Sequence, residues 1–220
     1  MPYQTAIFDL DGTLLDTLED LYIAVNAALE RRSLPPRTRD EVRMFVGNGV
    51  EMLIRRAVPM NTDEETVSAT LADFKAVYAT VCEDHTGPYD GILALLSSLR
   101  AKGVRVAVVS NKFDAATKKL CEKYFGDLVE VAIGERAGVQ KKPAPDTVFE
   151  ALRALDVTAG EAAETAVYIG DSDVDIETAR NCEMPCVSVT WGLRDENFLR
   201  NHGATTLAHT PEDLFSLIID

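Results

Sequence analysis

The sequence is poor in basic residues and has no long apolar run, and each absence excludes a class of function. It contains 22 lysines and arginines against 36 aspartates and glutamates, a formal net charge of −14. Nucleic-acid binding requires clustered lysine and arginine to neutralise the phosphate backbone, and no such cluster occurs. No stretch approaches the roughly 18 apolar residues of a membrane-spanning helix. We therefore expect neither a nucleic-acid partner nor a membrane partner.

Cysteine and histidine are also scarce. The four cysteines show neither a CxxC spacing nor the density of a secreted disulfide scaffold, so reduced thiols are expected. The three histidines are scattered and lack the spacing of metal ligands. The first residues lack the basic and apolar regions of a signal peptide. These features predict a cytoplasmic protein, and they leave open whether it is a monomer or a homodimer.

The sequence does contain a regular alternation of short apolar runs and helical patterns. The runs are rich in β-branched residues, and such an alternation predicts a parallel sheet with helices on both faces. The predicted strands are residues 6–10, 104–110, 128–133, 166–170, 186–190 and, with a weaker pattern, 205–208. The predicted fold class is therefore α/β, with a Rossmann-like parallel sheet as its core.

More than ninety residues separate the first two predicted strands, far more than an ordinary crossover needs. This interval has helical patterns and no convincing strand. We therefore predict a helical cap at residues 16–85, inserted into a core of residues 1–15 and 86–220. Capping residues mark several helix starts, and they are Thr38 with Glu41, Thr62 with Glu65, Thr158 with Glu161, and Thr210 with Pro211.

The most informative segment is Asp9-Leu10-Asp11-Gly12-Thr13, at the carboxyl end of the first predicted strand. Ligand sites of open α/β sheets lie outside the carboxyl ends of the strands. Two carboxylates separated by one residue allow Asp9 to attack a substrate while Asp11 moves protons. The alternative interpretation is an ordinary Asp-Gly turn, which this motif alone would not exclude.

Two further clusters stand after the next predicted strands. Ser110-Asn111-Lys112 offers hydrogen-bond donors and a positive charge to a phosphoryl group, although serine and asparagine are also common loop residues. Lys142, held by the adjacent Pro143, can neutralise charge on a nucleophile and on the transferring phosphoryl group. The alternative for Lys141-Lys142 is a solvated surface pair.

The fourth predicted strand ends in three acids. Mg²⁺ takes oxygen ligands from one or two carboxylates together with waters and substrate phosphate. Asp171 is the predicted direct ligand, and Asp175, one helical turn further on, is predicted to support it. Asp173 is expected to cap the helix that follows.

Taken in order, these motifs resemble those of the haloacid dehalogenase superfamily of phosphatases, over essentially the whole chain. The resemblance implies that Asp9 is the nucleophile and that the Asp11 side chain is the general acid and base. It also implies that Mg²⁺ is held by Asp9, the Asp11 backbone carbonyl and Asp171. The residues that it implies for binding phosphoryl oxygens are Thr13, Ser110, Asn111 and Lys142. Dehalogenases need no acid at position 11, so Asp11 indicates phosphoryl transfer.

The predicted cap resembles that of phosphoglycolate phosphatases in the segments 46–50 and 53–57. This likeness implies 2-phosphoglycolate as the substrate, a small phosphate ester whose carboxylate Lys112, Arg55 or the loop at Gly47 would bind. Under the alternative interpretation, Gly47 only ends a helix and Arg55 lies on a solvated face. The loop at residues 132–138 and Glu183 depart from the pattern of that family.

Other functions therefore stay open. Within the same superfamily they are a pyrophosphatase, a nucleotide or sugar phosphatase, and a phosphomutase similar to β-phosphoglucomutase, which would need a bisphosphate activator. A non-catalytic phosphate-binding protein is the remaining alternative. It is disfavoured because Asp9 and Asp11 are both present.

Overall fold

The computed structural model describes residues 3–220, and the chain folds into two compact units. The core unit is Met1–Leu15 with Pro88–Asp220, and the cap unit is Asp16–Gly87. The strands are β1 (Thr5–Phe8), β2 (Leu15–Asp16), β3 (Gly87–Pro88), β4 (Arg105–Phe113), β5 (Val131–Glu135), β6 (Ala166–Gly170), β7 (Cys186–Val189) and β8 (Thr206–Ala208). The helices are α1 (Leu18–Arg31), α2 (Arg39–Phe45), α3 (Val50–Ala57), α4 (Glu64–Val81), α5 (Ile92–Ala101), α6 (Asp114–Phe125), α7 (Asp146–Ala154), α8 (Ala159–Thr165), α9 (Asp173–Asn181), α10 (Glu196–Asn201) and α11 (Pro211–Ile219).

The core unit contains a six-stranded parallel sheet in the order β5-β4-β1-β6-β7-β8. Phe8 of the central strand β1 lies opposite Val108 of β4 and Ile169 of β6. The α/β prediction and all six predicted strands are confirmed, with ends that differ by up to three residues. Because the strands are parallel, the carboxyl ends of β1, β4 and β6 lie at one edge of the sheet, and Ser110, Asn111 and Lys112 belong to the last residues of β4.

Apolar clusters on the two faces of the sheet hold β1 in place. Phe8 packs in one cluster with Leu96 of α5 and Leu214 of α11, while Ile7 packs in the other with Val148 of α7. Successive side chains of a strand point to opposite faces, so β1 is buried on both sides. Each such side chain stabilises the fold by roughly 1.5–3 kcal/mol when fully buried. Asp9, which follows β1, is therefore attached to a rigidly packed strand.

The cap unit is built from α1 to α4. Helix α1 packs against α2 and α4, and α3 packs against α2 and α4. Their apolar faces bury Leu21, Val25, Ile54 and Phe74. The chain enters and leaves this unit through the two-residue strands β2 and β3, which pair with each other. Across residues 3–220, every helix falls short of the length or the hydropathy that a bilayer crossing demands.

Most predicted helix caps are confirmed, and two are wrong. Reciprocal capping boxes are present at Thr38, Thr158 and Thr210. The box predicted at Thr62 does not form, because Asp63 is the N-cap of α4 and its carboxylate accepts from the Thr66 backbone N–H at 2.8 Å. Asp173 does not cap α9 either. Ser172 is the N-cap, and Asp173 is the first helical residue.

Candidate active site

The loop after β1 brings Asp9 and Asp11 to the carboxyl edge of the sheet. The backbone N–H of Asp9 donates to the Ile169 carbonyl at 2.8 Å, which continues the pairing of β1 with β6 by one residue. Gly12 turns the chain with φ +89, and a Cβ there would collide with the Asp171 carboxylate. Only glycine allows both this backbone conformation and the close approach of the loop to Asp171.

Lys142 lies at the centre of the site and is almost completely buried. Its Nζ donates to Asp9 Oδ1 at 2.7 Å, to Asp175 Oδ1 at 2.9 Å and to the Tyr168 hydroxyl at 2.9 Å. The alternative of a solvated surface lysine is therefore wrong for Lys142. Its neighbour Lys141 is the partly exposed member of the pair, and its Nζ lies 3.6 Å from a carboxylate oxygen of Glu135.

Three buried carboxylates form the part of the site that could hold a metal ion. Asp9, Asp171 and Asp175 each present an oxygen within 4.8 Å of the others. Asp171 accepts from the Leu193 backbone N–H at 2.6 Å and from the Thr13 hydroxyl at 3.3 Å. The structure therefore brings the residues after β1 and β6 together, as parallel pairing of these strands requires.

The electrostatics of this cluster favour a cation. Burial raises the pKa of Asp9 to about 7, Lys142 opposes this rise, and the charge on Asp175 adds to it. Burial, with the charges on Asp175 and Asp9, raises the pKa of Asp171 well above its ordinary value. The pKa of Lys142 stays high although burial acts to lower it, because Asp175 and Asp9 outweigh that effect. The single positive charge of Lys142 therefore neutralises only part of the negative charge of the three carboxylates.

This donor set fits a hard divalent cation. Mg²⁺ binds through oxygen ligands, usually one or two carboxylates, and its charge would act against the burial and the neighbouring carboxylates that raise the pKa of Asp9 and Asp171. Asp175 is less available than the other two. Its Oδ2 accepts from the Ser172 hydroxyl at 2.6 Å and backbone N–H at 3.1 Å, while its Oδ1 binds Lys142.

The segment Ser110-Asn111-Lys112 forms the other side of the site. Lys112 is buried, and its Nζ donates to Asp11 Oδ1 at 2.8 Å. The Asn111 side-chain amide donates to the Lys142 carbonyl at 2.9 Å, and the Ser110 hydroxyl accepts from the Lys112 backbone N–H at 3.2 Å. Each aspartate of the β1 loop thus has its own buried lysine, Lys142 for Asp9 and Lys112 for Asp11.

Two predicted site residues, Gly47 and Arg55, belong to the cap unit. Arg55 is half-exposed and its guanidinium is engaged by acidic side chains, at 2.8 Å from Glu64 and 3.0 Å from Glu51. Arg56, which the sequence analysis did not single out, donates to the Phe45 carbonyl at 2.9 Å and to Asn48 Oδ1 at 2.8 Å. Arg56 therefore braces the turn that contains Gly47.

Three residues around the site were not assigned there from the sequence. Tyr168 reaches Lys142 from the middle of β6, and Arg194 is buried over the Phe198 ring, with its charge lowering the pKa of Asp171. The Trp191 indole donates to the Thr13 carbonyl at 3.0 Å and packs against the core. No local pattern marks Tyr168 or Trp191, because Lys142 and Thr13 lie 26 and 178 residues away along the chain.

Curated relatives of the chain are phosphoglycolate phosphatases. The enzyme of Pseudomonas putida is 33% identical over 97% of this chain and 75% of its own length. That of Caulobacter vibrioides is 35% identical over 94% of this chain and 86% of its own length.

The solved structures and the family models agree. A crystal structure from Lactobacillus delbrueckii subsp. bulgaricus, provisionally named a phosphoglycolate phosphatase, superposes with a TM-score of 0.92 and is 39% identical. The match covers 100% of this chain and 99% of that one. The family described as haloacid dehalogenase-like hydrolase matches residues 6–189. By this match the chain belongs to the haloacid dehalogenase-like hydrolases, as its motifs predicted.

Proposed function

We propose that this chain is a Mg²⁺-dependent phosphatase that hydrolyses a small phosphomonoester through an aspartyl-phosphate on Asp9. The observation that carries the proposal is the hydrogen bond from the Lys142 ammonium to the Asp9 carboxylate, within a cluster of buried carboxylates. A carboxylate attacks phosphorus well only where positive charge is held close to it, because both partners are anionic.

Asp9 fits the role of nucleophile. Its carboxylate is buried at the end of a rigid strand, and Lys142 binds Oδ1 and so fixes the direction of the side chain. In the first step an Asp9 oxygen forms a bond to phosphorus while the bond from phosphorus to the ester oxygen breaks. The leaving alkoxide takes the proton of Asp11, so charge and atoms balance.

Asp11 then acts as the base of the second step. Its carboxylate removes a proton from a water molecule whose oxygen bonds to phosphorus, and the bond from phosphorus to Asp9 breaks. This releases phosphate, restores the Asp9 carboxylate and leaves Asp11 protonated again. The ion pair with Lys112 supports this role, because it fixes the Asp11 side chain beside the reacting groups.

The remaining site residues would bind the metal ion and the phosphoryl group. Asp9, the Asp11 backbone carbonyl and Asp171 would hold Mg²⁺, which when bound supplies positive charge that stabilises the phosphoryl group in the transition state. Asp175 positions Lys142 and, through Ser172, the start of α9. The residues that we propose as donors to the phosphoryl oxygens are Thr13, Ser110 and Asn111. Lys142, whose three N–H groups go to Asp9, Asp175 and Tyr168, would add its positive charge to the binding of the phosphoryl group.

For the substrate we propose 2-phosphoglycolate, cleaved to glycolate and phosphate. The support comes from relatives that carry the name phosphoglycolate phosphatase at 33% and 35% identity. The substrate carboxylate needs a cationic or amide partner. The proposed partners are Lys112, Arg55 and the loop at Gly47, although both arginine and lysine would have to exchange an acidic partner for the substrate.

The reaction class is tested by phosphate release from small phosphomonoesters. We expect activity that requires Mg²⁺, disappears in EDTA and falls at least about a thousandfold in Asp9→Asn. Asp90→Asn, at an exposed aspartate of the same unit, is the matched control. Wild-type protein should also retain labelled phosphate after acid quenching, and Asp9→Asn should not. Full activity in Asp9→Asn would exclude this mechanism.

The substrate is tested by a panel of 2-phosphoglycolate, pyrophosphate, nucleoside monophosphates and sugar phosphates. We expect the highest kcat/KM for 2-phosphoglycolate. Equal values across the panel would remove the substrate proposal and leave the reaction class standing. An isomerised sugar phosphate as product, formed only with a bisphosphate activator, would instead identify a phosphomutase.

A further inference from the structure

Tyr168 is a fully buried phenol that contacts the charged centre of the site. It lies in β6, three residues before Asp171, and is 0% exposed. Its hydroxyl accepts from Lys142 Nζ at 2.9 Å and donates to Asp175 Oδ1 at 3.2 Å. Burial raises the pKa of this phenol well above its ordinary value, so the hydroxyl keeps the proton that it donates.

The hydroxyl completes the coordination of Lys142. An ammonium group has three N–H donors and no acceptor. In this site the three donors go to Asp9, Asp175 and Tyr168, at 2.7, 2.9 and 2.9 Å. A lysine side chain has several rotatable bonds and gains freedom when a partner is removed. With three acceptors at fixed positions, the ammonium of Lys142 has a single orientation.

Tyr168 differs from the other two acceptors in being neutral. Asp9 is the proposed nucleophile and Asp175 belongs to the carboxylate cluster. The charge around both residues would therefore change when the metal ion and the substrate bind. The phenol ring packs in the same core cluster as Ile7 and Val148, so its position is set by packing and not by the charge of the site. It can therefore keep hold of Lys142 at every stage of the reaction.

We propose that Tyr168 is a positioning residue that holds the Lys142 ammonium against the Asp9 carboxylate. It acts through Lys142 and does not touch the substrate. The proposal rests on the proposed function only in its kinetic consequence, because the orientation of Lys142 can be measured without turnover.

The test uses Tyr168→Phe in the full-length protein. Phenylalanine keeps the ring in the core, with its centroid 5.6 Å from Lys142 Nζ, and removes only the hydroxyl. We expect kcat with saturating Mg²⁺ to fall about tenfold, the cost of one hydrogen bond to a charged group, while KM stays within about twofold. Tyr124→Phe, at the far end of α6 in the same unit, is the control and should leave both constants unchanged.

A second measurement does not depend on activity. A buried ammonium whose protons are all hydrogen-bonded exchanges them slowly with water and gives a ¹H–¹⁵N signal. We expect such a signal in the wild type, identified by its absence in Lys142→Met, and exchange at least about tenfold faster in Tyr168→Phe.

The outcomes separate the two proposals. Wild-type protein without phosphatase activity would contradict the proposed function, and the exchange rate of the Lys142 signal would still decide the role of Tyr168. Unchanged exchange together with unchanged kcat in Tyr168→Phe would overturn the positioning role. A lower Tm with kcat, KM and exchange all unchanged would also overturn it, because Tyr168 would then serve packing alone.

Discussion

At the scale of single residues, the site is organised by two ion pairs, each made by a buried lysine. Lys142 pairs with Asp9 at 2.7 Å and Lys112 with Asp11 at 2.8 Å. A buried pair contributes little net stability, but removal of one partner leaves an uncompensated charge. The proposed function therefore assigns the two lysines a role on the two aspartates and not in stability. Lys142 sets the charge and direction of Asp9, and Lys112 sets the position of Asp11.

Replacement of Lys112 by methionine tests its role. We expect Lys112→Met to lower kcat at least about tenfold, because Asp11 loses the partner that fixes its carboxylate. Steady-state phosphate release with 2-phosphoglycolate and with an ester that has no second anionic group measures this. Lys118→Met is the control, because Lys118 is an exposed lysine of α6 paired with Asp114.

The pattern across substrates decides between two roles for Lys112. A loss of kcat for both esters supports the orientation of Asp11. A rise in KM confined to 2-phosphoglycolate, with kcat retained, would instead assign Lys112 to binding of the substrate carboxylate.

At the scale of secondary-structure elements, a buried aspartate joins the first cap helix to the segment that leaves the cap. Asp20 lies in the first turn of α1 and is 0% exposed. It accepts from the His85 backbone N–H at 3.0 Å, the Thr86 backbone N–H at 2.9 Å and the Thr86 hydroxyl at 2.7 Å. Its carboxylate therefore ties the start of the cap unit to its end, across 65 residues of chain.

Removal of this carboxylate should destabilise the cap unit. We expect Asp20→Ala to lower the free energy of unfolding by about 2–3 kcal/mol, because three donors, two of them buried, lose their acceptor. Urea denaturation followed by circular dichroism measures the change. Glu19→Ala is the control, since Glu19 is half-exposed and its pair with Arg39 should contribute at most about 1 kcal/mol. Equal losses in the two variants would contradict the role of Asp20.

At the scale of the whole molecule, the negative net charge repels the anionic ester that we propose as substrate, and only the positive charges at the site attract it. The net charge is −14, and the three clustered carboxylates add to the local negative potential. An anionic ester is therefore attracted by local charge and not by the overall field. Lys112 and Lys142 provide positive charge at the site, and a bound divalent cation would add to it.

The shifted pKa of Asp9 predicts how stability depends on pH and metal. Its pKa is about 7 in the folded chain against an ordinary 3.8, so between these values the folded state binds more protons than the unfolded state. The contribution of Asp9 to stability is therefore present below about pH 4 and is lost as the pH rises to about 7.

Thermal unfolding with and without Mg²⁺ measures this dependence. In EDTA, we expect the Tm of the wild type to fall relative to that of Asp9→Asn as the pH rises from about 5 to about 8. Mg²⁺ should raise the Tm of the wild type more at pH 8 than at pH 5, because protons compete with the ion for Asp9. A Mg²⁺ effect of the same size at both pH values would contradict the assignment of Asp9 as a ligand.

Much of the fold was determined by local patterns. The six strands follow from short apolar runs, and the caps at Thr38, Thr158 and Thr210 follow from residues three apart. Where two local candidates compete, as at Thr62 and Asp63, the pattern alone does not choose between them. The meeting of Asp9 with Asp171 was also predictable, because parallel strands bring their carboxyl ends to one edge.

The partners within the site were decided only by the tertiary structure. Lys142 binds Tyr168 26 residues away and Asp9 133 residues away, and Lys112 reaches Asp11 across 101 residues. Such contacts depend on strand register and on the direction of each side chain, which no local pattern carries. The sequence by itself thus determined the sheet and the order of the motifs along it. The packed structure decided which lysine serves which aspartate, because only packing brings the ends of distant strands within hydrogen-bond distance.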